Sequence, residues 1–167
     1  MEQWRGARPD LDPSAKGITG RIIRMSAIFQ DAFRAAFEPL GIGEGDYGVL
    51  VVLRRAGHPF ELTPSELARQ RMMTSGGMTA ALDRLERRGL LARAPNPADR
   101  RGTLIRLTDA GLEVIEDAMA RHTEAEHALV ASLSPAERAT LIDLLRRLLL
   151  DVEPGAPPAA KTAAERS

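Results

Sequence analysis

The sequence of 167 residues contains no cysteine. This absence excludes a disulfide framework, a thiol nucleophile, a cysteine-liganded zinc site and a sensor that works by thiol oxidation. No apolar run approaches the roughly 20 residues that a membrane-spanning helix needs. The N-terminal MEQWRGARPD also lacks the apolar stretch of a signal peptide. These observations predict a cytoplasmic protein with no membrane partner.

An excess of charge of one sign is also lacking, because 23 Lys and Arg balance 23 Asp and Glu. With 44% hydrophobic residues the chain can bury a core, and its length suits one ordinary domain with an appendage. The neutral total conceals a local imbalance. Between Arg69 and Arg106 nine arginines accompany only three acidic residues, which gives that segment a net charge of +6. Such a cationic segment is typical of a surface that contacts nucleic acid.

Apolar periodicity predicts helices at both ends of the chain. Residues 1–15 read as an irregular N-terminal arm, and an apolar stripe with steps of 4 and 3 begins after Lys16 and ends within the Pro- and Gly-rich residues 39–45. A shorter helix is predicted from Asp46 to about Arg55, burying Tyr47, Leu50, Val51 and Leu53. Near the other end, a long helix is predicted from Thr108 to about Ser132, and a capping box at Ser134 opens the last helix. Residues 153–167 have too little apolar content to fold and are predicted to be a disordered tail.

The central segment predicts two helices joined by a tight turn. The residues Thr63, Pro64, Ser65 and Glu66 form a capping box that opens the first helix. The second helix begins at Thr74–Gly77 and runs to Arg88, burying one face, before Gly89 stops it. Its buried residues are predicted to be Met78, Ala81, Leu82 and Leu85.

A β-hairpin is predicted directly after these helices. Two short extended runs, residues 90–94 and 103–107, flank a stretch of turn-forming residues at 95–102, which indicates a hairpin with a long basic tip. Two helices with a tight turn and a following ribbon make a winged helix-turn-helix, whose second helix enters the major groove of DNA. The predicted fold class is therefore mainly α, an α+β winged helix, with residues 46–107 as the DNA-binding lobe.

The candidate DNA contacts lie on three parts of this lobe. Small residues at the start of the second helix allow close approach to the groove floor, and Ser75, Thr79 and, one turn on, Arg84 can bond to bases or phosphates. Thr63 and Ser65 begin the helix that crosses the sugar-phosphate chain, while Arg100 and Arg101 suit a narrow minor groove. Asp99 is placed to orient Arg101. The remaining candidates at the second helix are Thr74, Gly76, Gly77 and Ala80.

Less specific interpretations remain for the same residues. A solvent-exposed helix face would account for Arg84, Arg87 and Arg88, and the Gly76-Gly77 pair would suit a turn alone. A winged-helix protein-interaction module is an alternative. An acidic or apolar wing tip would favour that module, whereas the tip of this wing is basic. The salt dependence of binding to duplex DNA separates the two.

A small metal-dependent enzyme is the other alternative. His122 and Glu126 are one helical turn apart and can share a face, but His127 lies about 140° around the helix from His122. No H-E-x-x-H, P-loop or dinucleotide fingerprint is present. The sequence therefore predicts no catalytic residue, no metal and no cofactor.

Three motifs resemble the MarR family of bacterial transcriptional regulators: residues 75–90 (SGGMTAALDRLERRGL), Asp99-Arg100-Arg101, and residues 107–111 (LTDAG). The resemblance covers roughly residues 16–152. It implies a homodimer in which residues 16–45 and 108–152 interlock as a dimerisation domain. It further implies that two winged lobes bind a pseudo-palindromic operator in double-stranded DNA, most simply as a repressor released by a small anionic or phenolic effector.

The N-terminal arm adds a narrower resemblance, to the urate-responsive subgroup of that family. The ligand site of the subgroup uses an arm tryptophan, an aspartate in the second helix, and arginines in the recognition helix and at the base of the wing. Trp4 and Arg93 match two of these positions, while Gly48 and Ala81 stand at the other two. His122 is a further candidate ligand contact near the dimer seam. The alternative role of Trp4 is to pack the arm onto the dimer.

Overall fold

The computed structural model describes residue 10, residues 12–71 and residues 75–152, and the chain divides into two compact units after Glu126. The described elements are mostly helical, as a mainly α winged helix predicts. In chain order they are α1 Lys16–Phe37, a 3₁₀ helix Glu38–Leu40, α2 Glu44–Arg55, β1 Glu61–Leu62, α3 Pro64–Arg71, α4 Ser75–Arg87, β2 Leu91–Asn96, β3 Asp99–Leu107, α5 Asp109–Leu129 and α6 Pro135–Val152.

The helix starts follow local capping, as the sequence predicts. The hydroxyl of Thr63 donates to Glu66 Oε2 at 2.8 Å, and the Glu66 amide donates back to Thr63 Oγ1 at 3.2 Å. Ser134 and Glu137 repeat this arrangement at the start of α6. The start predicted at Asp46 is wrong by two residues, since α2 begins at Glu44. Asp46 instead accepts a hydrogen bond from the Gly43 amide at 3.2 Å, as the third residue of a helix does when it caps the preceding turn.

The sheet has three antiparallel strands in the order β1-β3-β2. The predicted hairpin is present, but its long tip is wrong: Asn96 pairs with Asp99, which leaves only Pro97 and Ala98 between the strands. The Asn96 side chain accepts a bond from the Ala98 amide at 3.0 Å and so stabilises this tight turn. Strand β1 was not predicted, because two residues are too few to show an alternating pattern.

The core lies where the predicted faces of α2, α4 and the hairpin meet. Leu50 and Leu53 of α2 are fully buried, as predicted, but Tyr47 and Val51 are only partly buried. Val49 and Val52 are buried in addition, so the inward face of α2 is wider than one stripe. The four predicted residues of α4 are all buried: Met78, Ala81, Leu82 and Leu85.

The junction between the hairpin and α5 explains the motif at residues 107–111, LTDAG. The Thr108 hydroxyl donates to the Gly89 carbonyl at 2.7 Å and accepts from the Gly111 amide at 3.0 Å, which caps α5. Any side chain at Gly111 would overlap the carbonyl oxygen of Leu90. The close approach of two backbones therefore requires glycine at this position. Helix α5 ends at Leu129, three residues before the predicted end at Ser132.

Apolar side chains remain exposed on the first and last helices of the chain. On α1 they include Ile18, Ile22 and Ile23, and on α6 they include Leu144, Leu148 and Leu149. Exposed apolar area of this extent is unusual on a monomeric protein surface. No helix within the described ranges is long and apolar enough to cross a bilayer.

Candidate nucleic-acid interface

The first turns of α4 present an exposed, small-residue surface. Gly76, Gly77, Thr79 and Ala80 are exposed, whereas Met78 between them is buried in the core. Burial of Met78 orients the helix on the lobe so that the small residues on either side of it face outward. Another surface can therefore approach the backbone of α4 closely there. Ser75 is the first residue of α4, and the candidate Thr74 lies outside the described residues.

The two candidates at the start of α3 differ in their exposure. Thr63 is partly buried, and its hydroxyl is already engaged with Glu66 in the cap. Backbone and side-chain hydrogen bonds from Thr63 lower the pKa of Glu66, so the cap holds this carboxylate ionised at neutral pH. Ser65 is exposed beside it. The geometry therefore gives Thr63 a structural role in addition to any contact with DNA.

The wing carries its arginines on an irregular strand. The register of the hairpin passes from the Pro95–Thr103 pair directly to the Asn96–Asp99 pair. Arg100, Arg101 and Gly102 thus form a bulge in β3, which twists and bends a strand locally. An added Cβ at Gly102 would lie only 3.1 Å from Asn96 Cβ, so the bulge leaves little room for a side chain there. Asp99 begins this strand and is exposed.

Arg84 is bonded within the lobe. Its Nε and Nη2 donate to Asp46 Oδ1 at 2.9 and 2.5 Å, and Asp46 is only 4% exposed. These bonds raise the pKa of the Arg84 guanidinium, because they stabilise its charged form. Sequence reasoning missed Asp46 as a partner; its acidic position in the first turn of α2 was the available signal. A contact between Arg84 and DNA stays a prediction.

Several other arginines of the cationic segment also have partners inside the protein. Arg93 donates to Asp83 at 2.6 Å and to Glu86, and the Asp83 bond raises the pKa of its guanidinium. Arg106 donates to Glu61, its cross-strand neighbour, at 2.7 and 2.5 Å. Asp83 and Glu86 are already counted in the net charge of +6, whereas Glu61 lies outside that segment and offsets one further charge.

Arg88 has a different kind of partner at the far end of α4. Its Nη1 and Nη2 donate to the carbonyl oxygens of Gly41 and Leu40 at 2.5 and 3.0 Å. These carbonyls end the 3₁₀ helix that follows α1, where Gly41 has the left-handed φ of +63°. Arg88 thus satisfies backbone groups that a helix end leaves without partners.

His122 lies in an aromatic cluster. Its ring is 4.3 Å from that of Phe33, 4.9 Å from that of Tyr47 and 5.8 Å from that of Phe37. Its Nδ1 is 3.4 Å from Glu126 Oε2. Burial and the nearby Glu126 raise the pKa of Tyr47, so the phenol stays protonated at neutral pH.

The other described candidates for a ligand or metal site, Arg93 and His122, have different partners. Arg93 pairs with α4, His122 packs on α1 and α2, and Trp4 lies outside the described residues. Among the residues that the structure describes, no group of three or more His, Asp or Glu side chains is arranged to hold a metal ion.

Comparison with known proteins shows which family this lobe resembles. A sequence model of the MarR family matches residues 40–102. The transcriptional regulator PecS of Dickeya dadantii is 34% identical over 148 residues, which cover 89% of each chain. A mutant of MarR from E. coli, solved with operator DNA, is 31% identical and superposes with a TM-score of 0.69. The match covers 83% of this chain and 99% of the MarR chain.

A second complex with DNA matches more of the chain. Sco3205 of Streptomyces coelicolor, a MarR family regulator, is 25% identical and superposes with a TM-score of 0.74. The match covers 90% of this chain and 96% of the Sco3205 chain. These relatives are regulators of transcription and share the winged lobe described above. This chain therefore belongs to the MarR family and is a DNA-binding transcriptional regulator.

Proposed function

We propose that the protein is a homodimeric repressor that reads a pseudo-palindromic operator and releases it when a small effector binds. The observation that carries the proposal is the exposed start of α4, where Gly76, Gly77, Thr79 and Ala80 face outward beside a buried Met78. A helix held this way can enter the major groove with no long side chain to keep it from the bases. The bulged wing with Arg100 and Arg101 would reach the adjacent minor groove.

The dimer is supported by the apolar surface at the two ends of the chain. Residues 16–45 and 108–152 are proposed as the dimerisation segments, with residues 46–107 as the DNA-binding lobe. Leu148 and Leu149 on α6, and Ile22 on α1, are each more than 40% exposed in one copy of the chain. A helix with so much exposed apolar surface needs a partner, and a second copy would also place two recognition helices about one duplex turn, or 34 Å, apart.

The proposed effector is a small anion or a phenolic compound. The aromatic cluster around His122 supports an aromatic ligand, because it offers stacked rings together with a polar imidazole. Arg93 would have to exchange its bonds to Asp83 and Glu86 before it could bind an anion. A ligand releases DNA only if it prefers the arrangement with the wrong spacing between the two lobes.

The test uses an inverted repeat from the region upstream of the gene, with binding measured by fluorescence anisotropy at several salt concentrations. We expect affinity to fall steeply with salt. The Arg101→Ala variant should bind more weakly with a salt slope lower by about 1, and Thr79→Ala should lose about 1–3 kcal/mol of preference for the repeat over random duplex.

The control variants are Arg55→Ala and Thr123→Ala, which remove the same groups at exposed positions on α2 and α5. Equal effects from a test variant and its control would contradict the proposed interface. Binding that does not depend on salt would favour the protein-interaction alternative.

A further inference from the structure

The three arginines near the end of α4 differ in their partners. Arg84 donates to the carboxylate of Asp46, and Arg88 donates to two main-chain carbonyls beyond the end of α1. Arg87, the last residue of α4, is exposed and donates from its Nε to the carbonyl oxygen of Asp83 at 3.2 Å. Its two Nη groups have no acceptor within the described ranges. Arg87 can therefore offer them to a partner molecule.

Arg87 lies on the outermost line of α4. Steps of four, three and four residues lead from Gly76 through Ala80 and Asp83 to Arg87, and residues with this spacing lie along one face of a helix. The opposite face carries the buried residues Met78, Ala81, Leu82 and Leu85. The bond to the Asp83 carbonyl turns the Arg87 side chain back along the outer line, toward the small residues. Arg87 thus shares the outward surface that is proposed above to face DNA.

Asp83 lies on the same line, but its carboxylate is bonded elsewhere. Asp83 Oδ1 accepts from Arg93 Nη2 on β2 at 2.6 Å, and the Asp83 side chain stays half-exposed. Arg93 also donates to Glu86, so three charged groups form a cluster beside Arg87. Because Asp83 already has an arginine partner, the Arg87 guanidinium keeps its Nη donors for an acceptor outside the chain.

We propose that Arg87 contacts a phosphate of the DNA backbone at the rim of the major groove. In a helix-turn-helix the N-terminal residues of the second helix contact the bases. Arg87 is about 16 Å along the helix from Gly76, so it lies toward the rim when the start of α4 is in the groove. Phosphates line that rim, and the Nη groups of an arginine bind phosphate oxygens through charge-assisted hydrogen bonds. Such a contact positions the helix without reading sequence.

This inference rests on the proposed interface at α4. The test measures anisotropy with the full chain on two duplexes of equal length, one with the inverted repeat and one with a shuffled sequence. Arg87→Ala should weaken binding to both by about fivefold at about 0.1 M salt and should lower the salt slope by about 0.9 for each bound subunit. Arg87→Lys keeps a positive charge for the phosphate and should stay within about twofold of the native affinity.

Neutral phosphate analogues then locate the contact. A methylphosphonate at one position of the repeat removes one charge from the DNA. At the position that Arg87 contacts, it should weaken binding of the native protein and have little further effect on Arg87→Ala. At other positions it should affect the two proteins equally, because groups that do not interact have additive effects.

The matched control is Arg55→Ala. Arg55 is exposed and is the last residue of α2, so this substitution removes the same charge from the same place in a helix dipole. Its affinity and salt slope should match those of the native protein. An equal loss in Arg55→Ala and Arg87→Ala would contradict the contact.

Two further results would overturn the inference. A loss in Arg87→Ala on the repeat alone would assign Arg87 to a base. A loss that no methylphosphonate position removes would mean that Arg87 only balances the charges of Asp83 and Glu86. If Thr79→Ala changes the preference for the repeat while Arg87→Ala has no effect, the phosphate contact fails and the interface at α4 stands. If neither variant has an effect, both fail.

Discussion

At the scale of single residues, the Asp46–Arg84 pair shows how a buried acid organises the lobe. Asp46 accepts from the Gly43 amide with one oxygen and from Arg84 with the other, so it joins the start of α2 to α4. Arg84 is 46% exposed while Asp46 is nearly inaccessible. Removing the carboxylate charge leaves the guanidinium without its anionic partner and the Gly43 amide with a weaker one.

We expect Asp46→Asn to lower the free energy of unfolding by about 2 kcal/mol, measured by urea denaturation at pH 7. The control is Asp117→Asn, which breaks an exposed pair with Arg121 on one face of α5 and should change stability by less than about 0.5 kcal/mol. Similar effects from the two substitutions would mean that the Asp46 pair contributes no more than a surface pair.

Such pairings could not be predicted from the sequence, whereas the identity of the exposed residues could. Asp46 and Arg84 are 38 positions apart, and no local pattern connects them. Thr79 and Ala80 could be assigned to the outer face of a helix, because the apolar spacing of Met78 and Leu82 fixes which side is buried.

At the scale of secondary-structure elements, Gly111 joins the wing to α5. We expect Gly111→Ala to destabilise the protein by about 2 kcal/mol in chemical denaturation, because the methyl group meets the Leu90 carbonyl oxygen and the backbone has to move. Alanine has a higher helix propensity than glycine. The resulting gain in helix stability, about 1 kcal/mol, opposes the penalty from the overlap.

Gly45→Ala supplies the comparison for that experiment. Nothing lies within 4 Å of a Cβ built on Gly45, which is in the first turn of α2. This variant should be as stable as the native protein or slightly more so. A neutral result at both glycines would contradict the close approach at Leu90.

The cap of α3 makes a prediction about pH. Bonds from Thr63 lower the pKa of Glu66 in the folded protein, so the carboxylate stabilises the fold above the pKa it has in the unfolded chain. That stabilisation is lost as the pH falls through the lowered folded-state value. The difference in urea midpoint between the native chain and Glu66→Gln should therefore shrink from pH 7 toward pH 3. Glu124→Gln, at an exposed position of α5, should show no such trend.

The helices could be predicted well because their signals are local: a cap, an apolar spacing and a stop. The sheet could be predicted only in part. Strand β1 forms because Glu61 pairs with Arg106, a residue 45 positions away, and the tight turn at Pro97 and Ala98 depends on the bulge in the opposite strand. Pairings between distant residues of this kind leave no periodic trace in a short segment.

At the scale of the whole molecule, the proposed dimer makes DNA binding depend on the last helix. We expect Leu148→Glu to shift the protein to monomer at micromolar concentration in sedimentation velocity, because a charge would be buried in the apolar seam. Operator affinity should fall with it, since one lobe makes half of the contacts.

The matched control is Ala139→Glu, nine residues earlier and so half a rotation around α6, on the side opposite Leu148. This variant adds the same charge and should stay dimeric. A native chain that sediments as a monomer would contradict the dimer, and a Leu148→Glu dimer would remove α6 from the interface.

The bonds from Arg88 to the Leu40 and Gly41 carbonyls have a mechanical consequence. They tie Arg88, the residue directly after α4, to the segment in which α1 ends, so a rotation of α1 would pull on the C-terminal end of α4. Helix α4 has 13 residues and is about 20 Å long, so a turn of about 3° at the anchored end displaces the opposite tip by about 1 Å. In the proposed interface, a lever of this kind would convert a very small adjustment at the base of the helix into a loss of fit against the edges of the bases.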